Sequence, residues 1–398
     1  MNNYLLALPA LALTLLSGAP APPQQTQTIT VRNPLASARP AETVSLPLGR
    51  VAALVQRFGA ENLVVQDAQT GAVLVSQLLD ANADGRPDEL LFQTAMPGRG
   101  VRKFILAGAA AGGPRPAGPH TTFSRFVPER TDDYAWENDR VAFRTYGPVA
   151  QQLFEKHDPA GTLTSGMDCW LKRVDYPIIN KWYAQHVRTP FSYHKNTGEG
   201  YDPYHVGISR GCGGIGVWDR DSLYVSRNFV SYKTLATGPI RTVFELTYAP
   251  WDANGRAVTE KKVISLDLGS NLTRYEEHLA SAQALPNCTI GLTLHDQKGT
   301  VRADEKAGWF RYWEPVDDSF LGTAVVIDPH QLLHYQDHRT PRQDQAQLYI
   351  AAKVPAGQVV YYAGFGWAKS GQFHSEAEWD AYLRGFAQRL AAPLVVQL

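Results

Sequence analysis

The stretch Tyr193–Gly214, YHKNTGEGYDPYHVGISRGCGG, gathers two histidines, three tyrosines, a glutamate, an aspartate, an arginine and six glycines. Histidine exchanges protons near neutral pH, so His194 and His205 are candidates for acid–base work. His194 is the stronger of the two, because His205 falls in the alternating run YHVGIS, which reads as a strand. Glu199 lies close enough along a glycine-rich turn to orient an imidazole. Tyr204 can donate a proton, and Arg210 can hold a carboxylate in a two-pronged fork. No apolar run interrupts the stretch, so it is expected to be a long loop positioned by rigid strands, a common setting for a site.

Three other segments carry chemistry. Trp136, Glu137 and Asn138 stand just before a strand that begins at Val141, and so are placed at a strand mouth, where sandwich sites are often built. The alternative is a loop whose acids pair with Arg140 and Arg144. Lys172, among further basic and aromatic residues, could receive an acidic sugar or belong to an exposed amphipathic surface. Trp313 and Glu314, in YWEPVDD, suit a carbohydrate cleft, with Glu314 as a partner for the histidine loop from the opposite wall.

Nearer the N-terminus, DANADGRPDELLF sets Asp80, Asn82, Asp84 and Asp88 at loop positions one, three, five and nine, with Gly85 at six. Alternate side chains at this spacing converge on a calcium ion. Leu91 occupies the twelfth position, where the full helix–loop–helix motif needs a glutamate. The expectation is therefore a shorter, structural calcium loop, with a metal-free polar turn as the alternative. No organic cofactor is expected.

The elements that must hold these residues are mostly strands. Hydrophobic residues make up 44% of the 398 and charged residues 19%, which excludes global disorder. Lys plus Arg equal Asp plus Glu at 38 each, without the basic excess of a nucleic-acid surface. The apolar run Tyr4–Leu16 is too short to span a bilayer and is followed by small residues. Residues 1–21 read as a secretory signal, although no Lys or Arg precedes the run, and no cysteine follows it to carry a lipid. The expected protein is periplasmic or secreted, with no integral membrane association. Three cysteines cannot all pair internally and do not make a disulfide scaffold.

Alternating stretches such as RVAFRTYG, IRTVFELTY, KKVISLDLG and QVVYYAGFGWA recur between turn residues and predict large antiparallel sheets. A small β domain is expected over residues 22–108, a Gly/Pro/Ala-rich linker over 109–119, and a β-sandwich over 120–398. TITVRNPL and ENLVVQDAQTGAVLVSQLLD give the first unit a strand and a hairpin turning near Thr70–Gly71. SEAEWDAYLRGFAQRLAAP has helical spacing and a capping box at Ser375 and Glu378, so a C-terminal helix packs on the sandwich.

WENDRVAFRTYGP, the histidine stretch, GPIRTVFELTY and YWEPVDDSFLGTAVVIDP together resemble the bacterial family DUF4861, along nearly the whole chain and including DANADGRPDELLF. The resemblance implies an exported factor linked to polysaccharide use. It also implies a supersandwich similar to galactose-mutarotase-like and polysaccharide-lyase domains, and it transfers no catalytic residue. The leading expectation is an enzyme acting on an acidic, uronate-containing saccharide by β-elimination. In that reaction Arg210 would neutralise the carboxylate, His194 would take the C5 proton and Tyr204 would protonate the leaving oxygen. Hydrolysis by Glu199 or Glu314 with a second carboxylate, mutarotation by a His/Glu pair, and non-catalytic sugar binding are the alternatives. The oligomeric state stays open.

Overall fold

The computed structural model describes residues 26–109, 115–342 and 344–398. The signal segment lies outside the described residues, as does most of the first half of the linker.

Mainly antiparallel strands build the chain, as the alternation predicts. In the small unit, Ile29 and Val31 alternate inward from Gln27–Arg32, and they meet Leu63, Val65, Phe104 and Leu106 in a closed apolar core. Strand Arg39–Pro47 pairs with Glu89–Met96, which pairs in turn with Ser76–Leu79. The expected turn at Thr70–Gly71 forms, with Gly71 at φ +73°. Its second arm differs from expectation: it forms the isolated bridge Gln66↔Val73 rather than a strand, and Ser76–Leu79 then leaves for the other sheet. The C-terminal strand Val395–Gln397 returns to pair with Gln27–Arg32, so the last residues complete the first unit's sheet.

The large unit packs a nine-stranded sheet on a five-stranded one. Phe244, Leu246, Ile264, Leu266 and Val325 face Val217, Ile290, Leu292, Leu348 and Ile350 in one apolar layer. Another five-stranded sheet contains Asp133–Glu137, Ala142–Tyr146 and Asp168–Lys172, and every residue of those three strands is buried. One face, with Trp136, Phe143 and Leu171, joins the sandwich core. The other, with Ala135, Ala142 and Trp170, lies under Trp182 and Tyr183 of helix Ile179–Arg188. Polar residues in these strands are therefore core residues, which sequence alternation alone could not show.

Helix Glu376–Ala391 is capped as expected, Ser375 Oγ accepting from the Glu378 N–H at 3.3 Å. Its face of Trp379, Leu383 and Ala387 covers Trp309, Trp313 and Val326. All three cysteines are buried free thiols.

Candidate functional site

The histidine loop is fastened by backbone at its middle and near its far end. Tyr201 pairs with Leu171 and Gly200 with Lys172. Gly200 sits at φ +125°, and a Cβ there would meet Leu171 O at 1.9 Å, so only glycine allows this approach. At the far end the Cys212 N–H donates to Met167 O at 2.8 Å.

Ahead of the first anchor, His194 is held over a buried network. Its Nδ1 stands 2.9 Å from the Asp202 carbonyl and 3.4 Å from Asp202 Oδ2. A carbonyl only accepts, so Nδ1 carries the hydrogen and neutral His194 keeps its lone pair on Nε2. The side chain is 54% exposed, leaving that nitrogen open to an incoming molecule. Beneath, Asp202 accepts from Arg144 at 2.8 Å, and Arg144 also reaches Asp168 at 2.5 and 2.9 Å and Tyr193 Oη at 3.1 Å. Asp133 lies 3.6 Å from the same guanidinium and accepts from Tyr183 Oη at 2.9 Å.

One arginine thus serves three buried carboxylates, with Arg130 3.8 Å from Asp133. Burial pushes Asp202 well above the ordinary carboxylate range, and the neighbouring Asp168 charge adds to this. Burial also raises Asp133, against the pull of Arg144. Burial alone would lower the Arg144 guanidinium, but the surrounding acids and Tyr146 hold it well above its ordinary value. Asp133 Oδ1, Asp168 Oδ1 and Asp202 Oδ1 have no hydrogen-bond partner among the described residues. A histidine oriented by a buried acid network can accept a proton at Nε2 while the network stabilises the imidazolium.

Glu314 meets the histidine loop through His295. His295 Nδ1 lies 2.8 and 2.9 Å from the two Glu314 oxygens, and its Nε2 lies 3.0 Å from the His205 carbonyl. The Tyr204 ring meets the His295 ring edge-on at 4.6 Å. Burial opposes the His295 charge, but the Glu314 carboxylate outweighs it and raises His295 above its ordinary value. Burial raises Glu314 too, partly offset by His295. His295 has φ +40°, uncommon for a residue with a Cβ. Nothing in TIGLTLHD signals this role, since the partners arrive from other strands.

The remaining expected site residues lie elsewhere. Glu199 does not reach His194: it accepts from Lys181 at 2.5 Å, Trp182 at 3.2 Å and the Tyr176 hydroxyl. Burial raises it, and these donors bring it below the ordinary range. Arg210 is buried, and its guanidinium is occupied by Ser165 Oγ at 2.8 Å, Thr164 Oγ1 and the carbonyls of Ile208 and Ile215, with no face left for an acidic sugar. Burial lowers it to about 10. Tyr204 Oη is buried, out of reach of a surface substrate. His205 is exposed rather than on a strand, and pairs with Asp344 at 3.1 Å.

Trp136 is buried and donates to Thr273 Oγ1 at 3.0 Å. Glu137 accepts the Ile178 and Ile179 N–H groups at the start of the helix, and Lys172 pairs with it at 2.9 Å, both side chains fully buried. Asn138 closes the adjoining turn, its Oδ1 accepting from Arg140 and Val141. Trp313 lies under the C-terminal helix. These side chains assemble structure rather than a strand-mouth binding surface, because their strands are covered on both faces.

Asp80–Asp88 connects Ser76–Leu79 to Glu89–Met96. Asp80 Oδ2 accepts from the Gly85 N–H at 2.8 Å, Asn82 Oδ1 from Asp84 at 2.8 Å, and Asp88 Oδ2 from Ala81 at 2.9 Å. The side chains turn into the loop, yet no group of three His, Cys, Asp or Glu is disposed to hold an ion among the described residues.

Comparison with known proteins fits this architecture. The model of a family described as a domain of unknown function, DUF4861, matches residues 31–396. An uncharacterized protein P7 of Formosa agariphila is 44% identical over 389 residues, which is 97% of each chain. Among solved structures, a protein in the glycosyl hydrolase family 38 from Enterococcus faecalis has a TM-score of 0.50 at 8% identity, with 94% of this chain matched. An alpha-mannosidase from Enterococcus faecalis V583 has a TM-score of 0.44 at 10% identity, again with 94% of this chain matched. The chain spans about half the length of these two solved proteins, 47% and 46% respectively.

Proposed function

This chain belongs to the DUF4861 family, and on that premise we propose that it is a carbohydrate-active enzyme whose proton-transfer group is His194. The observation that carries the reading is the setting of His194. Its Nδ1 lies 2.9 Å from the Asp202 carbonyl, which fixes the hydrogen there, and its side chain is 54% exposed. A sandwich fold like that of a glycosyl hydrolase family 38 protein supports a saccharide substrate by analogy of fold only. The finer reading remains β-elimination at a uronate. Tyr204 and Arg210 are withdrawn from the surface, so His194 would take the C5 proton at Nε2 and return it to the departing glycosidic oxygen. One group can serve both steps when proton and leaving group lie on the same side of the sugar.

The alternative His/Glu pair, His295–Glu314, is less suited to catalysis. Both of its imidazole nitrogens face acceptors, which leaves neither for a substrate. A panel of uronate-containing glycans decides the matter. The expected outcome is a rise in near-ultraviolet absorbance from the unsaturated product, absent with His194→Ala. New reducing ends without that absorbance would replace elimination by hydrolysis, and no turnover or binding of any glycan would sink the carbohydrate reading.

We also propose that the Asp80–Asp88 loop takes up calcium in a structural role. Three carboxylates in one turn repel each other unless a cation compensates. Calcium at a hundredfold excess over its Kd should stabilise the fold by about 2.7 kcal/mol, read as a rise in Tm after chelation and readdition. An unchanged Tm in saturating calcium removes the site.

A further inference from the structure

A cavity of about 540 Å³ opens where strand Arg39–Pro47 of the small unit, the outer face of the nine-stranded sheet and helix Glu376–Ala391 meet. None of its walls comes from the histidine loop. Its size falls within the range of small-molecule sites. Five arginines line it, Arg39, Arg140, Arg241, Arg274 and Arg389, against two carboxylates, Glu42 and Asp267. Such a one-sided lining raises the local concentration of anions.

The five guanidiniums are not equivalent. Arg39 is buried and bonded to Asn33 and Glu42, and Arg389 reaches the same Glu42 at 2.9 Å, so these two tie the helix to the small unit. Arg241 forms a two-pronged pair with Asp267 at 2.5 and 2.8 Å. Arg140 and Arg274 are less committed. Arg140 is 38% exposed, with Asp139 4.0 Å away and Asn271 Oδ1 at 3.3 Å. Arg274 is 34% exposed, and its partner Glu276, at 2.8 Å, also serves Gln358 and His278. Arg140 and Arg274 line the cavity, whereas their acidic neighbours Asp139 and Glu276 do not. Cross-strand register sets Ser265, Arg274 and Tyr362 side by side, which adds a hydroxyl and an aromatic flank to the forks.

We propose that this cavity binds the acid group of an anionic saccharide, a carboxylate or a sulfate ester, with Arg140 and Arg274 as the contacting forks. A planar guanidinium matches both oxyanions in two-pronged, charge-assisted hydrogen bonds. The anion preference rests on the arginines alone, and the sugar body rests on the carbohydrate reading above. The cavity would thus be a subsite that selects acidic chains, separate from the group that moves the proton.

Calorimetric titration of the full chain tests this with four probes: a uronate oligosaccharide, a sulfated one and a neutral one of equal length, and inorganic sulfate. The expected result is binding of an acidic oligosaccharide that weakens at least about tenfold in Arg140→Gln/Arg274→Gln and with added salt. The neutral chain should bind more weakly than the acidic one and be indifferent to the substitutions. The tighter of the two acidic chains identifies the source of the oxyanion. If the double variant does not fold, Arg140→Gln alone, at a third-exposed side chain, carries the same comparison. Equal affinity for acidic chains with and without the arginines overturns the site, whatever the enzyme does. Inorganic sulfate that binds where no saccharide does supports an anion cavity and overturns its assignment to sugars, together with the carbohydrate reading.

Discussion

Two histidine–carboxylate pairs serve the same loop, and they use their nitrogens differently. His194 donates from Nδ1 to a backbone carbonyl of the buried Asp202 and leaves Nε2 in solvent. His295 gives Nδ1 to Glu314 and Nε2 to the His205 carbonyl, so both nitrogens are spent inside the protein. Both could be described as a histidine beside an acid, yet only one has a nitrogen a substrate could reach. Availability of the second nitrogen, not the presence of a carboxylate, separates a proton-transfer group from a staple that fastens one segment to another.

The network beneath His194 offers the largest effect. Arg144→Met would remove the guanidinium shared by Asp133, Asp168 and Asp202, leaving Arg130 beside Asp133 but taking the paired guanidinium from Asp168 and Asp202. A loss of about 3–5 kcal/mol in unfolding free energy is expected, measured by denaturant titration. Arg210→Met, at a buried arginine bonded only to hydroxyls and carbonyls, should cost less. Equal costs for the two would mean that the acids around Arg144 are held neutral, and that they orient His194 without charge.

His194→Ala comes next, and it divides the two pairs most directly. Turnover on the true substrate should fall by roughly 10²-fold or more, equivalent to about 2.7 kcal/mol in the barrier. The Tm should hardly move, because the side chain is half exposed and fills no cavity. His295→Ala should show the reverse, a lowered Tm with most of the activity kept in the protein that remains folded. A folded His194→Ala protein with an unchanged rate returns the proton-transfer role to the other pair.

Much of this was legible in the sequence, and the failures share a cause. Alternation in IRTVFELTY and KKVISLDLG marks strands because one face of each must be apolar. Ser375 and Glu378 mark the helix start because a capping hydrogen bond is local. Lys172, Glu137 and Arg210 were misplaced because their type argues for the surface, while their actual setting depends on a helix and a second sheet that cover them. His295 carries no local signal for the same reason: Glu314 is 19 residues away and His205 is 90. Partners that arrive across sheets leave no periodic trace.

The smallest effect separates the pairs by pH. Glu314, with a further contribution from Asp296, holds the His295 proton above the ordinary histidine range despite burial. A group whose folded value is raised contributes its full stability below the unfolded value and loses it as pH climbs through the folded one. For His295 that window opens near pH 6.5, the ordinary value, and extends upward. Glu314, raised by burial, has the same sign but acts from the carboxylate range upward. His295→Gln keeps a polar side chain at the site but cannot carry the charge. The stability gap between the unmodified protein and His295→Gln should therefore be widest at pH 6 and narrow toward pH 9. Each unit by which the pair raises the histidine corresponds to about 1.4 kcal/mol. A gap for His295→Gln that stays constant from pH 6 to pH 9 would show that His295 is neutral in the fold. Its Nε2 or Nδ1 would then lack a hydrogen, and the distinction between the two pairs would have to rest on exposure alone.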